Sequence, residues 1–171
     1  RKPPMKALLE PVRRLLPREA TSYRAIRLEA LATNPEAFAM TLEKLSADPD
    51  GHFFDTLEQA TVFGAFLAEE FVGMAGLSDE PGTREAHKGV LWGLYVRPGN
   101  RRTGLGRALL RAALAHARGQ FEQVVLHVVS DNEPARRLYE SEGFEAYGLE
   151  RRALKHGGGY QDGLLMVRFL E

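Results

Sequence analysis

Residues 96–107, VRPGNRRTGLGR, place Arg101, Arg102 and Arg107 around Gly104 and Gly106 immediately before an apolar, helix-like stretch. The first turn of a helix carries unpaired backbone N–H groups and a partial positive charge. Glycines at that turn have no Cβ, so a ligand can approach the main chain closely. The arginines add full charge. This combination suits a phosphate, or a pyrophosphate lying along several amides. The wider window supports an anion: no Asp or Glu occurs between Glu85 and Glu122, while Lys88, Arg97, Arg111 and Arg118 also fall there. The chain as a whole has 23 basic and 23 acidic residues, so its charge is sorted rather than in excess. Two phosphate-binding patterns fail. A P-loop needs Gly-Lys-Ser/Thr, and Gly104 is followed by Leu105 and Gly106. The dinucleotide fingerprint needs a small residue three places after its second glycine, where Leu109 stands.

The stretch VRPGNRRTGLGRALL resembles the acetyl-CoA signature of the Gcn5-related N-acetyltransferases (the GNAT family), Gln/Arg-x-x-Gly-x-Gly/Ala, with Arg101, Gly104 and Gly106 in its fixed places. A second block of that family is an Asn with Ala three residues on, then Leu-Tyr and Gly-Phe. Asn132, Ala135, Leu138, Tyr139, Gly143 and Phe144 fill it. The resemblance covers roughly residues 60–170 in detail and the first 59 in outline. It implies one α/β domain over residues 1–171, GNAT-like, with a largely antiparallel central sheet, a parallel splayed strand pair and flanking helices. It implies direct transfer of an acetyl group from acetyl-CoA, as co-substrate and without a metal, to a primary amine in a ternary complex. The main chain of Leu94, Tyr95 and Val96 would hold the pantetheine arm and the acetyl oxygen. The pyrophosphate would fall to Arg101, Arg102, Thr103, Gly104, Leu105, Gly106 and Arg107, with Asn132 completing the coenzyme set. A catalytically silent acyl-CoA sensor of the same fold is the alternative.

The resemblance makes Tyr139 the general acid for the departing thiolate. Local reasoning gives the same residue a packing role: with Gly143 at the left-handed position after a helix, Tyr139 and Phe144 make the usual apolar contact of that cap. Some family members carry a Glu in the strand before the turn, but residues 88–96 contain no carboxylate. His127, five residues before Asn132, is the replacement candidate for a base, as in some N-terminal acetyltransferases of the family. A water held by backbone carbonyls is the other option. His52, His87, His116 and His156 read as surface histidines.

For the acceptor, residues 36–58 hold Glu36, Glu43, Asp48, Asp50, Asp55 and Glu58 against Lys44. That excess tilts towards a cationic amine, although solvated helix faces account for it more simply. No nucleic acid or membrane partner is expected, and a homodimer stays open. The basic window lacks interleaved aromatics, and the global charge is zero.

These residues need a frame. Residues 10–16 read as a short strand, and Pro17 opens a helix over roughly 18–33. Asn34 and Pro35 read as the start of a second helix, with helical pieces to residue 59 broken near 47–51. Residues 60–70 and 71–80 form a hairpin, and 88–96 a buried strand that precedes the phosphate turn. A helix follows over 104–118, then a strand over 122–129. A short helix over 130–144 is stopped by Gly143, and two strands are joined near 157–159. The helix between 88–96 and 122–129 requires those strands to run parallel, and the sheet is expected to open beyond Val96.

The composition, 44% hydrophobic and 27% charged over 171 residues, is that of an ordinary globular domain. No cysteine is present, which excludes disulfides, Cys-bound zinc and a cysteinyl acyl-enzyme, and suits direct transfer. No stretch reads as a membrane span or a signal peptide, so the expected location is cytoplasmic. Residues 1–5, RKPPM, are expected to be a disordered or cloning-derived start.

Overall fold

A computed structural model describes residues 11–171; the expectations for residues 1–5 and for Glu10 lie outside them. Seven strands form one sheet in the order β1-β2-β3-β4-β5-β7-β6. In chain order the elements are β1 (Val12–Arg14), α1 (Ala20–Thr33), α2 (Leu42–Ser46), α3 (Asp50–Gln59), β2 (Thr61–Leu67), β3 (Glu70–Ser78), β4 (Lys88–Val96), α4 (Leu105–Ala117), β5 (Gln123–Val129), α5 (Glu133–Ser141), β6 (Glu145–His156) and β7 (Gly159–Phe169). Every neighbouring pair is antiparallel except β4 and β5, which are parallel across the α4 crossover. None of the described helices is long and apolar enough to cross a membrane.

Two cores sandwich the sheet. On one face α4 buries Leu105, Leu109, Leu110, Ala113, Leu114 and Ala117, a stripe at helical spacing, against the inward residues of β3 and of β5, Val124, Leu126 and Val128. On the other face α1 to α3 bury Tyr23, Ile26, Leu31, Leu45, Phe53 and Leu57 against Val62, Met74 and Tyr95. The alternation along β5 holds: Val124, Leu126 and Val128 turn to the first core, while Val125, His127 and Val129 turn to the opposite face.

The start of a second helix at Asn34 is corrected. Pro35–Ala37 is a single 3-10 turn, and α2 begins later, with Thr41 Oγ1 accepting from Lys44 N at 3.2 Å. The Asn34 side chain is engaged elsewhere: its Oδ1 accepts from Arg101 Nη2 at 2.7 Å. The opening of the sheet is also corrected. β4 and β5 pair only at Lys88–Gln123, Gly89–Val124 and Val90–Val125, so they part after Val90, well before Val96. The cause lies in β4. Its register on β3 slips between Met74–Tyr95 and Gly76–Trp92, and Gly93 sits there at φ +67°, a bulge that bends the strand away from β5. Finally, His116 is no plain surface histidine. Its Nε2 lies 3.2 Å from Thr61 Oγ1, its ring packs edge-on to Phe63, and burial lowers its pKa.

Candidate coenzyme and acceptor cleft

The splay leaves a cleft of about 640 Å³ between β4 and β5. Its walls come from five places. β4 supplies Leu94, Tyr95 and Val96, and the turn before α4 with the first residues of α4 supplies Asn100, Arg101, Arg102, Leu105 and Gly106. The end of β5 and the start of α5 supply Val129, Asp131, Asn132, Pro134, Ala135 and Leu138. The α1–α2 connection supplies Asn34, Glu36, Ala37 and Phe38, and β7 adds Gln161.

The turn is built for close approach. Gly104 caps α4 at φ +85° without a side-chain cap, and Arg102, two residues earlier, lies at φ +62°. A non-glycine residue there costs about 1–2 kcal/mol, a strain that clusters at ligand clamps. A Cβ at Gly104 would meet nothing within 4 Å, and one at Gly106 would stand 3.5 Å from Leu138 and 3.9 Å from Val96. With the open N-terminus of α4, this fits a pyrophosphate-bearing ligand.

The basic window resolves into separate roles. Lys88 pairs with Glu85, and Arg97 with Glu29 and Glu70. Arg107 and Arg111 both pair with Glu142, at 3.3 and 3.0 Å, so Arg107 points along α4 to α5 and does not line the cleft. Thr103 likewise turns back, its hydroxyl donating to Asn100 O at 2.5 Å. Arg101 reaches only neutral partners, Val96 O at 2.8 Å from Nε and Asn34 Oδ1 from Nη2, and its guanidinium lies 5.7 Å from the centre of the Tyr95 ring. Among the described residues Arg102 has no ion pair. The cations of the window without an ion pair among the described residues are therefore Arg101 and Arg102, both at the cleft, and Arg118 at the far end of α4.

The second motif forms α5 and its two caps. Asn132 Oδ1 accepts from Ala135 N at 3.4 Å, and Pro134 occupies the first turn. At the other end Gly143 has φ +89°, Phe144 N donates to Tyr139 O at 3.0 Å, and Gly143 N donates to Glu140 O at 3.1 Å. That is the expected cap, and the Tyr139 and Phe144 rings meet edge-on at 5.8 Å. Tyr139 is 8% exposed, its ring belongs to the core under α4, and burial raises its pKa above the ordinary phenol value. It does not line the cleft, although its neighbours Leu138 and Ala135 do. His127 is exposed on β5 opposite Leu165 and does not line the cleft either.

Of the acidic residues in 36–58, Glu36 alone lines the cleft. Asp50 faces Arg24 at 3.4 Å, and Asp48 lies 3.6 Å from His52. Glu36 Oε1 accepts from Asn34 Nδ2 at 3.2 Å. Its pKa is lowered by its own backbone N–H and by that bond. Asn34 thus links Arg101, on the turn before α4, to Glu36, on the α1–α2 side. Sequence reading missed Asn34, Asp131 and Gln161 as site residues. The first two sit beside motif or turn residues, but Gln161 carries no signal, because only the register of β7 brings it here.

The Acetyltransferase (GNAT) family matches residues 25–144. A mycothiol acetyltransferase of Thermobispora bispora is 35% identical over 139 residues, covering 78% of this chain and 45% of that protein. One of Nocardiopsis dassonvillei is 35% identical over 138 residues, covering 75% and 40%. The chain thus spans less than half the length of these relatives. Among solved structures, an acetyltransferase of the GNAT family from Streptococcus pneumoniae has a TM-score of 0.84 at 21% identity, over 94% of this chain and 98% of that one. A Salmonella typhimurium protein solved with its cofactor acetyl-CoA has a TM-score of 0.81 at 19% identity, over 94% and 93%. At these identities the solved structures speak for the fold.

Proposed function

The chain belongs to the acetyltransferase (GNAT) family, and from that membership we propose that it transfers an acetyl group from acetyl-CoA directly to a primary amine. One observation carries the reading. β4 and β5 separate after Val90–Val125, and the gap runs straight to a helix N-terminus whose turn holds Arg102 and Gly104 in the left-handed region. A pantetheine arm fits the gap, where it replaces the missing strand partner of β4, and a pyrophosphate fits the turn.

The coenzyme supplies an activated acetyl thioester. The chain does the rest. Arg101, Arg102 and the amides from Gly104 to Gly106 neutralise the phosphates. The main chain of Leu94 to Val96 orients the acetyl group, and Asn132 fixes the start of α5 beside it. Tyr139, whose neighbours Leu138 and Ala135 line the cleft although its own ring does not, is assigned the proton that the departing thiolate takes up. Its burial keeps the phenol protonated, the form a donor must have, and also makes it a weaker acid. The amine must lose a proton, and the exposed His127 takes it up through intervening water. On the acceptor side Glu36 favours an amine with cationic character. The mycothiol acetyltransferases among the relatives favour a small-molecule acceptor over a protein.

The test is an acceptor screen with the full chain and acetyl-CoA. Spermidine, glucosamine, cysteinamide and an alanine-starting peptide are offered, and acetylated products are read by mass spectrometry. Turnover of at least one amine, with the small molecules ahead of the peptide, is expected. Tight acetyl-CoA binding without acetylation of any of them would favour the silent sensor.

A further inference from the structure

Arg27, on α1, carries a charge that nothing among the described residues answers. It makes no ion pair and no side-chain hydrogen bond there. Its neighbours on α1 are engaged: Arg24 lies 3.4 Å from Asp50, and Glu29 accepts from Arg97 Nε at 3.0 Å and from the Tyr95 hydroxyl at 3.1 Å. The Arg27 side chain is partly buried against β4. Its guanidinium carbon is 5.5 Å from the centre of the Trp92 ring, and a Cβ on Gly93 would stand 3.3 Å from its Nη1. Trp92 offers a ring within cation–π range but no hydrogen-bond acceptor. Burial lowers the Arg27 pKa, as it does for a cation that has lost water without gaining a counter-ion. None of its nitrogens is among the side-chain atoms that are both unpartnered and sealed from solvent, so these unpartnered nitrogens are open and a ligand can reach them.

The place matters as much as the charge. Arg27 is not part of the cleft wall; it stands past its inner end, beside the Gly93 bulge. β4 runs towards the turn that is proposed to hold the phosphates. A pantetheine arm that starts at the turn and lies along β4 therefore points back to this bulge, short of the point where the strands rejoin at Val90–Val125. Resting on the acetyltransferase reading above, we propose that Arg27 binds a carboxylate of the acceptor, so that the substrates are primary amines that also carry a carboxylate, as amino acids do. The guanidinium fork matches a carboxylate in two parallel hydrogen bonds. The coenzyme's phosphates fall to Arg101 and Arg102 at the other end of the cleft, which leaves Arg27 to the acceptor. Glu36, near Asn34 and about two turns along α1 from Arg27, attracts the ammonium end of the same zwitterion.

The test compares acceptors that differ only in the carboxylate: cysteine against cysteinamide, and β-alanine against β-alaninamide, each with acetyl-CoA and the full chain. The parent should favour the carboxylate member of at least one pair by about tenfold or more in kcat/KM, mainly through KM. Arg27→Met keeps a stem on Trp92 and Arg27→Gln keeps a polar end; both remove the charge. In either folded variant the preference should fall to within about threefold, while the amide member and calorimetric acetyl-CoA affinity change little. A purely structural Arg27 would slow both members of a pair alike. A parent without the preference overturns the proposal, as does a preference that survives in a folded variant, or a parent that acetylates spermidine, glucosamine or the peptide but no carboxylate-bearing amine. The parent comparison needs no variant, so it decides even if both substitutions prevent folding. A parent that acetylates no amine at all overturns the acetyltransferase reading itself, a result separable from the others.

Discussion

Tyr139 does two jobs at once in α5. Its carbonyl accepts the Phe144 N–H that closes the helix, and its ring meets Phe144 edge-on. Tyr139→Phe leaves both in place and removes only the hydroxyl, so it isolates the proposed proton donor from the cap. Single-turnover acetyl transfer in that variant should slow by about 10²-fold, with Tm and acetyl-CoA affinity close to the parent. A rate equal to the parent's, in a folded variant, would leave Tyr139 as a packing residue only. At this scale the sequence was readable wherever a residue's role is local. The spacing from Asn132 to Phe144 specifies both ends of α5 without reference to the rest of the chain. Arg107 was not readable, because its partner Glu142 is brought to it by the packing of α5 on α4. Nor was Gln161, which pairs with Leu154 at the edge of the bulge that slips β6 on β7.

The turn into α4 is where backbone and ligand binding can be separated. Gly104→Val and Gly106→Val both put a side chain into the proposed phosphate cradle, and both should weaken acetyl-CoA binding by at least about 10²-fold in calorimetry. They should differ in stability. Gly104 has φ +85°, so a β-branched residue there should cost about 1–2 kcal/mol even though a Cβ meets nothing. Gly106 has no such angle, and its Cβ would make ordinary contacts with Leu138 and Val96. Urea denaturation should therefore find Gly104→Val destabilised and Gly106→Val near the parent; equal stability would show that the turn relaxes. The elements themselves were legible because their periodicities are strong. β4 and α4 fall within a residue of their sequence limits, β2 stops three residues short of its expected end, and the final strands join at the expected turn. The departures are at Asn34 and at the start of the splay. Asn34 has the chemistry of a cap, but Arg101, 67 residues away, captures its side chain. The splay begins at a bulge that depends on how β4 registers on β3.

At the scale of the whole molecule, the α1 side and the α4 side each bury a phenol. Burial pushes Tyr23 up to about 12 and raises Tyr139 as well. A folded-state pKa above the unfolded value gives stability that is complete below about pH 10 and lost as pH rises towards 12. The Tyr23 share is about two units, or about 3 kcal/mol. Denaturation midpoints followed from pH 7 to 11.5 should fall steeply above pH 10 in the parent and less so in Tyr23→Phe; parallel curves would refute the assignment. The short seam between β4 and β5 has a mechanical meaning. Three residue pairs, Lys88–Gln123 to Val90–Val125, join four strands on one side to three on the other, so the sheet is expected to work as two jaws on a hinge strapped by α4. Whatever lies between the jaws acts as a wedge that limits their swing. Because the chain contains no cysteine, Leu94→Cys/Val129→Cys places one thiol on each jaw with no background. A short bis-maleimide should bridge them readily in the free protein and many-fold more slowly once acetyl-CoA holds the jaws apart. Equal bridging rates would mean that the gap is a fixed slot rather than a working hinge.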